Sequence, residues 1–220
     1  GAGVPAGPGP VRGLVAPHLE PLAASRVYAN AYAALRGAPA RRVVVLGVGH
    51  SLYPGLVSLT RKDFATPLGV AATDREAVER LARAAGPAAA AGDLAHRNEH
   101  SVELQVAFLQ RVLPPESFTL VPLLMGSAAA LPEFSRAAFR EAAAGFLEEL
   151  AGLLGEEGTL GVAGVDLCHI GPKFGHDRTA RDLEGEALAH DAALLESVAA
   201  GDPDAFWAEG ARVEDRYHVC

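Results

Sequence analysis

Three apolar runs in this 220-residue chain each end on an imidazole: "LVAPH" on His18, "VVVLGVGH" on His50, and "GVAGVDLCH" on Asp166 and His169. Histidine changes charge near neutral pH and is the commonest metal ligand. Imidazoles gathered at one place could hold a divalent metal, and an imidazole beside a carboxylate could carry a proton. A fourth imidazole, His100, opens the segment "NEHSVELQVAFLQRVLP". His96 precedes it at the i, i+4 spacing of one helical face, where two imidazoles can share a metal. A plainer alternative stands beside each of these. A histidine where a strand stops can simply cap or hydrogen-bond, Asp166 can cap the turn after its strand, and Cys168 can be a small buried apolar group. His176, His190 and His218 have no comparable context, and His190, in a helical segment, reads as a surface residue. Several ionisable groups converging on strand ends are harder to explain as packing.

The elements that would position these groups alternate between strand and helix. Segments 11–18, 42–48, 56–60, 118–126 and 159–169 are short apolar runs. Segments 25–37, 74–86, 98–114, 131–155, 180–201 and 203–216 have helical spacing. In the first helix Val27, Ala31 and Ala34 or Leu35 recur at helical intervals. Asp74 and Gly86 fit the start and stop of the second. Val102, Val106, Leu109 and Leu113 form one stripe of the third. "DFATPLG" (63–69) has the turn chemistry to reverse the chain. Continuous apolar strands separated by helices imply a doubly wound α/β fold, a mostly parallel central sheet with helices on both faces. Such sheets bind ligands beyond the carboxyl ends of their strands. The glycines at 47 and 49 would let the chain turn sharply there and aim His50 into the crevice.

Composition excludes several classes. With 19 basic against 27 acidic residues the net charge is −8, and no Lys/Arg stripe exists, so nucleic acid is an unsuitable partner. No apolar stretch approaches the roughly 20 residues of a membrane span, and no signal-peptide pattern is present. Only two cysteines occur, which makes the cytoplasm the expected compartment. Residues 1–11, rich in Gly, Ala and Pro, read as a flexible leader. Residues 12–220 read as one α/β domain. The ending "EDRYHVC" implies a functional terminus or a domain cut short at its C-terminus, with a sheet edge left exposed.

"LGVGHSLYPGLVSLTRKDFATPLG", "NEHSVELQVAFLQRVLP", "VPLLMG" and "GVDLCHIGPKFGH" together resemble the Memo family, whose bacterial members are labelled AmmeMemoRadiSam system protein B. The blocks fall in the family's order from about "GLVAPH" onward. Two departures stand out. "GVGH" replaces a Gly-Pro-Asn-His turn, and Gly164 and Val165 stand where a Ser-Ser-Asp segment commonly has its serines. The resemblance implies a fold like that of class III extradiol dioxygenases, in which two histidines and a carboxylate hold non-haem iron. For the Memo pattern it implies two histidines and a cysteine: His50, His100 and Cys220 as metal ligands. His169 would take the place of the dioxygenase acid/base, with Asp166 beside it.

A facial set of three donors with open positions suits Fe(II), and a thiolate among them shifts preference toward Cu(I) or Zn(II) and away from hard cations. The expected function is therefore a metal-dependent redox enzyme acting on a small molecule or a peptide. The alternatives are a scaffold that binds peptides or partner proteins on an inherited fold, as the resemblance implies for animal members, and a hydrolytic zinc enzyme.

Overall fold

The computed structural model describes residues 11–220 apart from 53–54, 91, 115, 128–130, 132–134 and 215. Nearly all of the expected leader lies outside the described residues; its last residue, Val11, packs on the core. Five strands form the central sheet: β1 (Gly13–Pro17), β2 (Arg42–Val48), β3 (Val57–Leu59), β6 (Thr119–Met125) and β7 (Thr159–Val165), in the order β1-β7-β2-β6-β3. All neighbours are parallel except the short edge strand β3, which runs antiparallel to β6. The "DFATPLG" reversal is a separate hairpin, β4 (Phe64–Thr66) with β5 (Gly69–Ala71).

The apolar runs of the sequence are strands buried on both faces. Val43 and Val45 of β2 pack with Leu120, Leu124, Leu160 and Val162 beneath α1 (Pro21–Ala33) and α3 (Ser101–Val112). On the opposite face Val44, Val121 and Leu123 pack beneath α2 (Arg75–Ala85) and α5 (Ala144–Gly155). Each such side chain, fully withdrawn from water, contributes about 1.5–3 kcal/mol. The α3 stripe of Val102, Val106, Leu109 and Leu113 is buried as its spacing predicts.

Two helices differ from expectation. α1 begins a turn earlier than expected, with Pro21 in its first turn, and buries Ala24, Tyr28 and Tyr32; Val27 is 57% exposed. The aromatic rings decide the face: Tyr28 stacks on Phe108 of α3 with centroids 4.1 Å apart, and Tyr32 lies 5.3 Å from the same ring. The expected long helix over 131–155 is interrupted at Ala143 (φ −112°, ψ 16°), which separates α4 (Arg136–Ala142) from α5. At Gly145, the second residue of α5, a Cβ would come within 2.5 Å of the Ala84 carbonyl, a close approach to α2 that only glycine permits.

Two compact units divide the chain. The second comprises Leu131–Phe139 and Asp166–Cys220 and contains α6 (Ala180–Ala200) and α7 (Pro203–Val213); the first is the remainder, with the sheet and its flanking helices. α6 starts on a capping box made by Thr179 and Asp182 and stops at Gly201, left-handed at φ 65°; Asp202 then caps α7. No described helix is long and apolar enough to cross a membrane.

At the amino ends of the strands, Arg42 donates to Asp74 (2.7 Å) and Glu156 (2.5 Å), and Arg80 reaches Glu149 and Glu156. Asp74 also caps α2 by accepting from the Ala77 N–H at 3.0 Å. Burial pushes the Asp74 carboxyl up, but the Ala77 N–H and Arg42 outweigh it and hold the carboxyl below its ordinary value. Replacing Asp74 by Ala should therefore destabilise the fold by about 1–2 kcal/mol in urea titrations followed by circular dichroism. The folded-state pKa is depressed, so this stabilisation is fully present above roughly pH 4. It is lost as pH falls through the folded value, and the gap between wild type and variant should close there.

Candidate metal centre

His18 directly follows β1, and His50 lies two residues beyond β2. The two strands are parallel members of one sheet, so both imidazoles leave its carboxyl rim. α3 supplies the third. His100 occupies its N-cap position, and the helix proper starts at Ser101. The rings of His18, His50 and His100 form a nearly equilateral triangle, with centroids 5.2, 5.3 and 5.5 Å apart. His18 is buried, whereas the side chains of His50 and His100 are 40% and 55% exposed.

α3 reaches this corner by very close packing. A Cβ on Gly47 would come within 2.5 Å of Ser101 Oγ and 2.7 Å of Val102 Cγ2; one on Gly164 would come within 2.9 Å of Gln105 Nε2 and 3.0 Å of the Ser101 carbonyl. Gly47 and Gly49 do not adopt left-handed backbone; the chain turns tightly from Gly49, whose carbonyl accepts from the Leu52 N–H at 2.9 Å, and the missing side chains clear space. Over these glycines two buried polar side chains stitch the first turn of α3 to the strand ends. Ser101 Oγ donates to the Val48 carbonyl at 3.0 Å, and Gln105 Nε2 donates to the Pro17 carbonyl at 2.9 Å. Tyr32 completes the network, donating to Gln105 Oε1 at 2.6 Å. Burial pushes the Tyr32 phenol pKa up, which keeps it a donor.

Between His50 and His100 stands a carboxylate that the motif reading passes over. The Glu99 side chain is 5% exposed. It accepts from the backbone N–H groups of His50 (3.1 Å), His100 (2.9 Å) and Ser101 (3.0 Å), and His50 Nδ1 lies 3.0 Å from Oε2. Burial pushes its carboxyl up, but the Ser101 N–H and His50 outweigh burial and hold the pKa below the ordinary value. One donor atom each from His50, Glu99 and His100 lie within 4.8 Å of one another. Imidazole and carboxylate donors at this spacing fit a divalent transition metal. An acidic residue immediately before a helix start was the available signal, since anions favour helix N-termini.

The i, i+4 pairing of His96 with His100 is not formed as a helical face. His96 lies in the 3-10 turn Leu94–Asn98, and extended backbone at Glu99 separates that turn from α3. Burial keeps the His96 pKa below its ordinary value.

The remaining predicted residues meet in the second unit. Segment 217–220 pairs with segment 166–169: the Cys220 N–H donates to the Asp166 carbonyl at 3.0 Å, and the His169 N–H donates to the Tyr217 carbonyl at 2.8 Å. His169 Nδ1 donates to the His218 carbonyl at 2.9 Å, which leaves Nε2 facing Asp166 Oδ2 at 3.7 Å. Asp166 is buried. Burial, reinforced by Asp191, pushes the Cys168 thiol up to about 12, so Cys168 stays protonated. His190 is not a surface residue. The 3–4 spacing of Leu183, Ala187, His190 and Leu194 puts it on the buried face of α6, where Nδ1 meets Glu209 at 2.7 Å.

A mostly parallel α/β sheet with imidazoles and a carboxylate at its carboxyl rim defines a class of protein with a candidate metal centre. The family model for Memo-like protein matches residues 4–219, and the chain belongs to that family. It is 35% identical over 195 residues to a MEMO1 family protein of Thermus thermophilus, covering 88% of this chain and 55% of that one. It is 31% identical over 177 residues to a MEMO1 family protein of Aquifex aeolicus (79% and 44% covered), and 30% identical over 176 residues to the memo-1 homologue of Caenorhabditis elegans (77% and 46%). The chain thus spans about half the length of these relatives.

Gly47→Ala tests the packing that delivers α3. The added methyl must push Ser101 and Val102 away, so the variant should lose about 1–3 kcal/mol in chemical denaturation. Histidine side-chain NMR resonances of His50 and His100 should shift with it. Unchanged stability and spectra would show that the helix does not need the close approach.

Proposed function

We propose that this chain is a metal-dependent redox protein whose centre uses His50 and His100, with His18 completing the imidazole group. The observation that carries this reading is the triangle of three imidazoles, which strand ends and a helix cap bring together, with an anchored carboxylate beside His50 and His100. Cys220 enters as a further donor from the family resemblance. Its thiolate would be formed on metal binding and would make the set softer. Fe(II) fits best, with Cu(I) and Zn(II) as the alternatives that a thiolate favours. Bound iron or copper supplies one-electron chemistry with dioxygen, as in the extradiol dioxygenases to which the fold is likened.

The chain's own contribution would be positioning and proton handling. His169 holds its Nδ1 proton on the His218 carbonyl, so Nε2 is the nitrogen open to accept or return a proton. Asp166, beside it, would stabilise the imidazolium as it forms. The substrate on this reading is a small molecule or a peptide side chain. Soluble partner proteins remain compatible with the net charge of −8, which disfavours nucleic acid.

Elemental analysis and anomalous scattering of tag-free protein, reconstituted anaerobically with Fe(II) or Cu(I), test the reading. About one ion per chain is expected. His50→Ala or His100→Ala should weaken uptake by more than tenfold, and Cys220→Ser should weaken Cu(I) more than Fe(II). Wild-type protein that takes up neither metal stoichiometrically would sink the proposal.

A further inference from the structure

We infer that Glu99 is a positioning residue that fixes His50 as its Nδ1–H tautomer, so that Nε2 is the atom His50 presents to a metal. The presentation half of this inference rests on the metal reading above; the tautomer half does not.

The argument is a count of donors and acceptors. An ionised carboxylate only accepts hydrogen bonds. Glu99 is already the acceptor for three backbone N–H groups, those of His50, His100 and Ser101, at 2.9–3.1 Å. His50 Nδ1 lies 3.1 Å from Oε1 and 3.0 Å from Oε2. Since neither oxygen can donate, the proton of that contact sits on Nδ1, and the lone pair of the neutral ring sits on Nε2. Histidine without a partner favours the opposite tautomer, Nε2–H, so Glu99 inverts the ordinary preference.

The same count separates Glu99 from the ligands. Its side chain is 5% exposed. Turning it to face a metal directly would strand the amides of His100 and Ser101 at the start of α3, where they have no turn of helix before them to accept, and the amide of His50 beyond β2. His100 is held less firmly: its Nδ1 lies 3.4 Å from Glu99 Oε1 and its side chain is 55% exposed. Glu99 therefore acts chiefly through His50. A carboxylate behind a ligating imidazole orients the ring, fixes its tautomer and raises its basicity.

The test is long-range ¹H–¹⁵N correlation NMR on the full chain labelled at histidine, metal-free and at roughly pH 8.5, well above the ordinary imidazole range. His50 is expected as the Nδ1–H form. Glu99→Gln and Glu99→Ala should return it toward Nε2–H, and Glu99→Gln should weaken Zn(II) binding in a chelator competition by about 10–100-fold. In zinc-loaded wild type, the metal-shifted nitrogen of His50 should be Nε2, with Nδ1–H retained. A wild-type His50 found as Nε2–H or as imidazolium overturns the inference, as does zinc on Nδ1. The wild-type tautomer needs no variant to fold. Failure of zinc to bind would count against the metal reading while the metal-free tautomer still decides the role of Glu99.

Discussion

The site depends on how closely α3 can lie on the sheet. Side chains normally keep a helix and a sheet far apart, and His100 would then stand away from the two strand-end imidazoles. Gly47 and Gly164 remove that spacing where the first turn of α3 crosses β2 and β7, since a methyl at either would overlap Ser101 or Gln105. The gap they open is filled by polar groups. Ser101 and Gln105 spend their hydrogen bonds on the Val48 and Pro17 carbonyls, the last residues of β2 and β1. Helix, strand end and imidazole are thereby fixed as one piece, because sliding α3 would leave buried polar groups unpaired at about 1–3 kcal/mol each.

This arrangement gives a physical reason for Gly164, where the family commonly carries serine. A serine side chain there would begin within 2.9 Å of the Gln105 amide nitrogen. Gln105 is fully buried and holds both the Pro17 carbonyl and the Tyr32 hydroxyl. The glycine and this tyrosine–glutamine network are therefore one structural solution: the space a serine would occupy is taken by an amide that anchors the helix instead.

The sheet was legible because strands buried on both faces need apolar residues at every position, and Val43–Val45 and Leu120–Leu124 announce that directly. The rim histidines were legible through the same strands, since His18 and His50 stand where the apolar runs end. Three features were not. The buried face of α1 was hidden because Val27 and Ala31 match helical spacing as well as Tyr28 and Tyr32 do; only the packing of Phe108 across the groove selects the tyrosines. His190 was misplaced because an imidazole is equally at home on a surface, and its half-buried partner Glu209 belongs to the next helix. Glu99 was missed because its role lies in backbone amides brought together from residues 50, 100 and 101, and no linear motif records which amides converge.

The charge pattern explains why an acidic chain can still keep a carboxylate buried among imidazoles. Removing a carboxylate from water is expensive unless hydrogen bonds replace the lost hydration. Glu99 receives two backbone N–H groups at the start of α3, where the peptide dipoles add a favourable potential, and a third from His50 beyond β2. Its ionisation is thus secured by the backbone, independently of any metal. His50 adds to this through its Nδ1, 3.0 Å from Oε2. At Glu209 side chains take the part that backbone amides take at Glu99: Arg212 and then His190 hold its carboxyl down to about 2, with His190 Nδ1 2.7 Å from Oε1 and Arg212 donating from Nε and Nη2.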